Sequence, residues 1–225
     1  MSDALGRRSE GFVAVKALVA IVLTLWLIAV VTLGAKDALG TKPDTPPILF
    51  ALFQTVPELL FLVAYFGWRS FREWILSADL RLLTAIQGWR WMGFAFLAVY
   101  AQGLLPGVWA WPASLGDVAV ALAAPWVCLA LIRRPAFAAS PLFVAWNLFG
   151  ILDLVVAIVL GGATARGLVG AGEGVTMAPV ARLPLALIPG YLVPIFIMLH
   201  LASLFQARRM SKSSLGLRQP AGTAI

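Results

Sequence analysis

Four ionisable side chains lie inside apolar stretches of this sequence, and they are the groups most able to carry chemistry: Glu58, Arg90, Asp153 and His200. A charge at the centre of a bilayer costs roughly 2.5–3.5 kcal/mol on insertion scales, so each such group needs a partner or water. Carboxylates, a guanidinium and an imidazole at different depths are typical of proton relays and of sites for small polar solutes. The sequence therefore predicts a polar cavity or a proton path.

Other polar residues lie close to these four along the chain and complete the set expected to line the cavity. Gln54 precedes Glu58 by about one helical turn, and Gln87 likewise precedes Arg90. Asn147 lies beside the helix face that carries Asp153, and Asp117 is expected near the outer end of its helix.

Helix geometry allows the depths of these side chains to be ranked. With a rise of about 1.5 Å per residue, Glu58 and Arg90 reach similar depths, on helices that a short loop should make antiparallel neighbours. We therefore expect Arg90 to face the bundle and pair with Glu58. Arg90 is expected to reach Asp153 or Asp117 only if the arginine side chain extends outward.

Prolines at depth predict breaks in the helices. A proline removes a backbone hydrogen bond, which is tolerated in membrane helices where neighbours or water satisfy the freed carbonyl. The candidate positions are Pro57, Pro125, Pro189 and Pro194. Gly150, close to Asn147 and Asp153, would let a neighbouring helix or a ligand approach.

The elements that position these residues follow from composition. The chain has 225 residues, of which 61% are hydrophobic and only 12% charged, and its mean hydropathy is +0.93. Soluble domains are nearer half apolar and a quarter charged. Apolar runs of about 20 residues cross a bilayer as helices. The sequence predicts an all-α, polytopic bundle of six transmembrane helices, within residues 12–206, at about 12–35, 47–68, 80–105, 113–132, 141–161 and 184–206.

The distribution of Lys and Arg predicts the orientation. Both termini together with the second and fourth loops carry twelve of the seventeen basic residues, whereas the other three loops carry Lys36, Lys42, Arg166 and Arg182. Cytoplasmic segments are enriched in Lys and Arg. We therefore expect a cytoplasmic N-terminal segment at 1–11 and a polar cytoplasmic C-terminal tail at 207–225.

Three connections have a distinctive composition. Residues 69–81 mix basic and aromatic residues and predict either a short interfacial helical turn or an ordinary cytoplasmic loop. Residues 103–117 predict a tight outer hairpin that places Trp109 and Trp111 at the interface. Residues 161–184 are rich in glycine and predict a flexible outer connector or a lid.

Several kinds of chemistry find no support. One histidine and one cysteine, His200 and Cys128, are too few for bis-histidine haem or a zinc site, so no cofactor and no metal is expected. The net charge of +7 does not indicate nucleic-acid binding, because the basic residues flank apolar runs. The segment "SLGD" at 114–117 resembles an intramembrane aspartyl protease motif, but Ser114 replaces a glycine and no second motif follows. An enzyme is therefore not the leading interpretation.

The segments "GWRWMGF", "GLLPG", "LGD", "NLFGILD" and "PIFIMLH" resemble uncharacterised multi-pass inner-membrane proteins of bacteria. The resemblance covers the third to sixth helices and implies the cell membrane as location, without implying an activity.

Three functions remain open. The leading hypothesis is a small transporter or channel-like protein, or a subunit of one, for protons or a small polar solute. The alternative is a non-transporting sensor, scaffold or assembly subunit whose buried ion pairs only hold helices together. The third is an intramembrane enzyme acting on a lipid or quinone. Besides the bilayer, the partners to consider are a solute or proton, a membrane subunit and a second copy of the chain.

Overall fold

The computed structural model describes residues 2–40, 48–170 and 174–216. These residues form helices and connections, with no strand among them. Among the described residues six helical stretches are long and apolar enough to cross a membrane, which agrees with the predicted all-α class and the six predicted spans. They are Gly11–Ala35, Ile48–Gly67, Leu80–Ala101, Gly107–Arg133, Pro141–Ala165 and Ile188–Lys212.

The described residues contain eight α-helices, and all of them except the third contribute to these spans. In chain order they are α1 (Ser2–Ala35), α2 (Ile48–Gly67), α3 (Arg69–Ser77), α4 (Leu80–Ile86), α5 (Phe94–Ala101), α6 (Gly107–Arg133), α7 (Pro141–Ala165) and α8 (Val193–Gly216). The third span is composite, because a 3-10 segment, Gln87–Gly93, joins α4 to α5. The sixth span begins with a π-helical turn, Ile188–Leu192, before α8. The predicted C-terminal tail is helical as far as Gly216, and its last residues, 217–225, lie outside the described residues.

Side-chain caps define two of the helix starts. The Asp79 carboxylate accepts a hydrogen bond from the Arg81 amide at 2.9 Å and caps α4. The Ser140 hydroxyl accepts from the Phe143 amide at 3.2 Å, and Pro141 occupies the first turn of α7. Both arrangements satisfy amides that have no partner within the helix.

The prolines break fewer helices than the sequence predicts. Pro57 and Pro125 lie inside the continuous helices α2 and α6, so the predictions that these two prolines break their helices are wrong. Pro189 lies in the π-helical turn, and Pro194 is the second residue of α8, where a missing amide proton costs little. The clearest break, in the third span, contains no proline.

The connection after α5 is shorter than predicted. Helix α6 begins at Gly107, so most of the predicted hairpin at 103–117 is helical. Trp109 is buried and donates its indole N–H to the Ala157 carbonyl at 2.9 Å, whereas Trp111 is exposed. The prediction that both tryptophans lie at the interface is therefore wrong for Trp109.

Helix α3 occupies residues 69–77 of the predicted connection at 69–81, so this part is helical, and its position at the membrane interface stays a prediction. Helix α3 buries Phe71 and Ile75 against its neighbours. The Gln206 side chain of α8 donates to the carbonyls of Ile75 and Ala78 at 2.9 and 3.0 Å. These contacts fix the turn between α3 and α4 to the last span.

The core lies between the third, fourth, fifth and sixth spans. Helix α6 packs on the composite third span and on α7, and α7 packs on α8. The spans built from α1 and α2 are peripheral, because few of their residues are buried. In the glycine-rich connector, α7 continues to Ala165 and a 3-10 turn covers Ala178–Ala181, while residues 171–173 lie outside the described residues.

Candidate functional site

The Arg90 guanidinium lies at the centre of the bundle, with none of its side chain exposed. Its Nε donates to Asp117 Oδ1 of α6 at 2.7 Å, and its Nη2 donates to Asp153 Oδ2 of α7. Its Nη1 donates to the Gly150 carbonyl of α7 at 3.2 Å. The two carboxylates are themselves almost fully buried. One guanidinium thus joins three spans through charge-assisted hydrogen bonds.

His200 completes this network from the sixth span, and the hydrogen bonds assign its tautomer. Its Nε2 lies 3.3 Å from Arg90 Nη1, and because a guanidinium can only donate, Nε2 must accept. The ring proton therefore lies on Nδ1 and is donated to Asn147 Oδ1 at 2.9 Å. The Asn147 amide in turn donates to the Phe143 carbonyl at 2.8 Å, which fixes its orientation. The imidazole is neutral in this arrangement.

Each acidic or imidazole group of the network occupies space left by a glycine on the preceding span. A methyl group at Gly93 would lie 2.6 Å from Asp117 Cβ. A methyl group at Gly116 would overlap the Asp153 carboxylate, and one at Gly150 would overlap the His200 ring. Three glycines on three consecutive spans therefore receive a polar side chain from the span that follows each.

The 3-10 segment shapes the arginine's surroundings. Where the regular hydrogen-bond pattern is lost, the Ser114 hydroxyl of α6 donates to the Gly93 carbonyl at 2.9 Å. The Gln87 amide donates to the Phe196 carbonyl of α8 at 3.2 Å. These side-chain bonds fasten both ends of the segment to neighbouring spans. A 3-10 stretch in the middle of a long helix often marks a functional hinge or a strained segment.

The predicted Arg90–Glu58 ion pair is wrong. Arg90 reaches Asp117 and Asp153 instead, because its side chain extends toward the end of the bundle where α6 begins. The Glu58 carboxylate oxygens are buried, and no hydrogen-bond partner for them exists among the described residues. Glu58 therefore belongs to a separate environment on the peripheral span α2.

A double-mutant cycle tests this separation. We expect Arg90→Ala and Glu58→Ala to change the free energy of unfolding additively, within about 0.5 kcal/mol, because the side chains share no contact. The matched cycle of Arg90→Ala with Asp117→Ala should show a coupling of at least about 1 kcal/mol. Unfolding of the purified protein in detergent micelles gives both values. A coupling to Glu58 as large as that to Asp117 would contradict the assignment.

Above the ion network lies a cavity of about 800 Å³. The starts of α2, α6 and the sixth span, the ends of the third span and of α7, and the connector after α7 surround it, so it lies at one end of the bundle, hereafter the cavity end. Its walls are mainly apolar and include Phe50, Phe96 and Trp109. Asp117 lines it at the deepest level of α6, and Gln54 lines it from α2. The Asp117 carboxylate thus borders both the cavity and Arg90.

Below Asp117 the interior is closed. Arg90, Asn147 and His200 have no exposed surface, and Phe143 and Trp146 pack beneath them. The Trp146 ring meets the imidazole edge-on, with centroids 5.3 Å apart. Among the described residues the cavity therefore ends at the ion network, which separates it from the opposite end of the bundle.

The structure brings together five of the eight predicted polar residues in one network and places the other three outside it. The network contains Arg90, Asp117, Asn147, Asp153 and His200. Gln54 lines the cavity, Gln87 fastens the 3-10 segment, and Glu58 lies apart.

Sequence reasoning missed Ser114 and Gly116, although both belong to the "SLGD" segment. The signal that would have found them is the glycine next to a buried acidic residue. Gly116 directly precedes Asp117, and Gly150 precedes Asp153 by one turn. Small residues at such positions let helices and side chains approach closely.

A family profile described as Domain of unknown function (DUF8737) matches residues 47–208 of the chain. Because the match covers more than half of the sequence, the chain belongs to this family. The matched region begins after α1 and includes every residue of the ion network and of the cavity except Leu39. No curated protein and no solved structure matches the chain significantly.

Proposed function

We propose that this member of the DUF8737 family is an integral membrane carrier that binds a small solute, or a proton, in the cavity above Asp117 and moves it across the bilayer. The observation that carries the proposal is a cavity that ends, among the described residues, at the buried network of Arg90 and two carboxylates. An open channel would need a continuous path, and the packed residues below Asp117 close that path among the described residues. A carrier instead exposes its site to one side at a time.

The irregular backbone supports the same interpretation. The 3-10 segment of the third span and the π-helical turn of the sixth span lie beside the network and the cavity. Helix breaks near a buried binding site are typical of secondary transporters. Such segments can change their hydrogen-bond pattern at lower cost than a regular helix.

We also propose that both termini face the cytoplasm and that the protein lies in a bacterial inner membrane. The excess of Lys and Arg at the ends of α2, α6 and α8 supports this orientation. The cavity would then open away from the cytoplasm, because α2, α6 and α8 begin at the cavity end.

Flux in proteoliposomes tests the carrier. We expect reconstituted protein to acidify pyranine-loaded vesicles under an inside-negative potential, alone or on addition of one of a panel of small amines, amino acids or sugars. Asp117→Asn should reduce that flux at least tenfold, because it removes the charge at the cavity floor. Gln54→Leu, which leaves the ion network intact, should reduce it severalfold.

The exposed Asp79→Asn is the matched control, since it removes an equal charge far from the cavity. Its flux should equal that of the unmodified protein. Rates no higher than those of empty liposomes for every compound would overturn the proposal, as would full activity of both cavity variants.

The second candidate function is a non-transporting membrane module. The observation that favours it is the completeness of the network, in which Arg90 has two acidic partners, a carbonyl and an imidazole. Such a network can hold four spans together without any solute. This interpretation predicts that cavity variants such as Gln54→Leu change neither binding nor flux of any compound.

A further inference from the structure

We infer that the cavity takes a small organic cation, an amine or quaternary ammonium group attached to an apolar body. The inference rests on the proposed function and specifies its substrate class. It follows from the charge of the floor and the chemistry of the walls.

The network holds two acidic groups and one basic group. Two carboxylates, Asp117 and Asp153, surround one guanidinium, and the hydrogen bonds of His200 keep its imidazole neutral. With both carboxylates ionised, the network holds one more negative charge than positive. Because charges interact strongly where water is excluded, this excess favours a cation beside Asp117, the network member that lines the cavity.

The guanidinium does not offer an equivalent site for an anion. Arg90 is fully buried, and its side chain lies behind the Asp117 carboxylate as seen from the cavity. Three of its nitrogens already donate to protein acceptors. Among the described residues of the cavity wall Arg166 is the basic one, and its Nε donates back to the Gly162 carbonyl of α7 at 3.4 Å.

The walls suit the apolar part of such a ligand. The rings of Phe96 and Trp109 meet edge-on at 4.7 Å, and Phe50 lies across from them on α2. The Trp109 N–H is already donated to Ala157, so its ring acts as an apolar and aromatic surface. Aromatic faces attract ammonium groups through their quadrupole. A volume of about 800 Å³ falls in the usual range for small-molecule sites.

A pair of isosteric probes separates charge from shape. Phenyltrimethylammonium and tert-butylbenzene have the same form, but only the first is charged. We expect the detergent-purified full-length protein to bind phenyltrimethylammonium at least tenfold more tightly than tert-butylbenzene, by isothermal titration calorimetry. Benzenesulfonate, the anionic control, should show no binding at the same concentrations.

Two variants locate the binding in the cavity. Asp117→Asn should weaken phenyltrimethylammonium binding at least tenfold and leave tert-butylbenzene unchanged. Ala157→Phe, which places a ring in the cavity beside Trp109 and keeps every charge, should abolish binding of both probes. Its matched control is Val159→Phe on the exposed face of the same helix, which should bind both as before.

Equal affinity for the charged and neutral probes would overturn the inference, as would binding that survives Ala157→Phe. If Asp117→Asn does not fold, the probe pair and the Ala157 variant still decide the result. Binding is measured without flux, so the two proposals fail separately. Cation binding without transport leaves the inference standing and removes the carrier, whereas proton flux without cation binding does the reverse.

Discussion

Replacing Arg90 with alanine is expected to lower the free energy of unfolding by about 3–5 kcal/mol. The change leaves two almost fully buried carboxylates, Asp117 and Asp153, without the guanidinium that both contact. Breaking a buried ion pair from one side is costly because the remaining charge is uncompensated. Denaturant or steric-trap unfolding in micelles measures the loss.

Arg69→Ala is the control for removing an arginine. Arg69 pairs with Glu73 on α3, and 84% of its side chain is exposed, so we expect a change below about 1 kcal/mol. Replacing Arg90, Asp117 and Asp153 together by Leu, Asn and Asn should recover much of the stability lost in Arg90→Ala, because no unpaired charge remains. A loss of less than about 1 kcal/mol for Arg90→Ala would show that the network does not hold the spans together.

Gly150→Ala is expected to cost about 3 kcal/mol, although alanine is the better helix former. The added methyl group would overlap the His200 ring, which Asn147 holds from one side and Trp146 from another. The ring cannot shift without losing these contacts, and overpacked cores lose stability accordingly. Gly116→Ala should be similarly destabilising because it displaces the Asp153 carboxylate from Arg90.

Gly162→Ala provides the matched control for both substitutions. It lies on the same helix as Gly150, and a methyl group there would meet nothing within 4 Å. We expect it to be neutral or stabilising by about 0.5–1 kcal/mol, as for Gly to Ala within a helix. Unfolding midpoints of the three variants in one detergent give the comparison. Equal behaviour of Gly150→Ala and Gly162→Ala would contradict the close packing of the imidazole.

The six spans could be predicted from the sequence because apolar length is a direct consequence of bilayer thickness. The ion-pair partner of Arg90 could not be predicted from the sequence, for two physical reasons. A 3-10 segment rises about 2.0 Å per residue instead of 1.5 Å, so the stretch from Gln87 carries Arg90 farther toward the cavity end than a regular helix would. The side chain then extends in the same direction.

The second reason is the start of α6. The sequence "GLLPGVWAWP" contains turn-forming residues, so the helix was predicted to begin near residue 113 and Asp117 to lie near its outer end. The helix begins at Gly107, which places Asp117 about 15 Å along it. Asp117 therefore lies well inside α6, where its carboxylate accepts from the Arg90 guanidinium. The hydropathy of the sequence does not reveal the earlier start of α6, because tryptophan and proline fit both a hairpin and the first turn of a helix.

The order of the network residues along the chain has a consequence for biosynthesis. Arg90 leaves the ribosome 27 residues before Asp117 and 63 before Asp153, and His200 emerges last. During membrane insertion we therefore expect the guanidinium to leave the ribosome before either counter-ion does. We expect its release into lipid to wait for the fourth and fifth spans, so that the third to fifth spans enter the bilayer together.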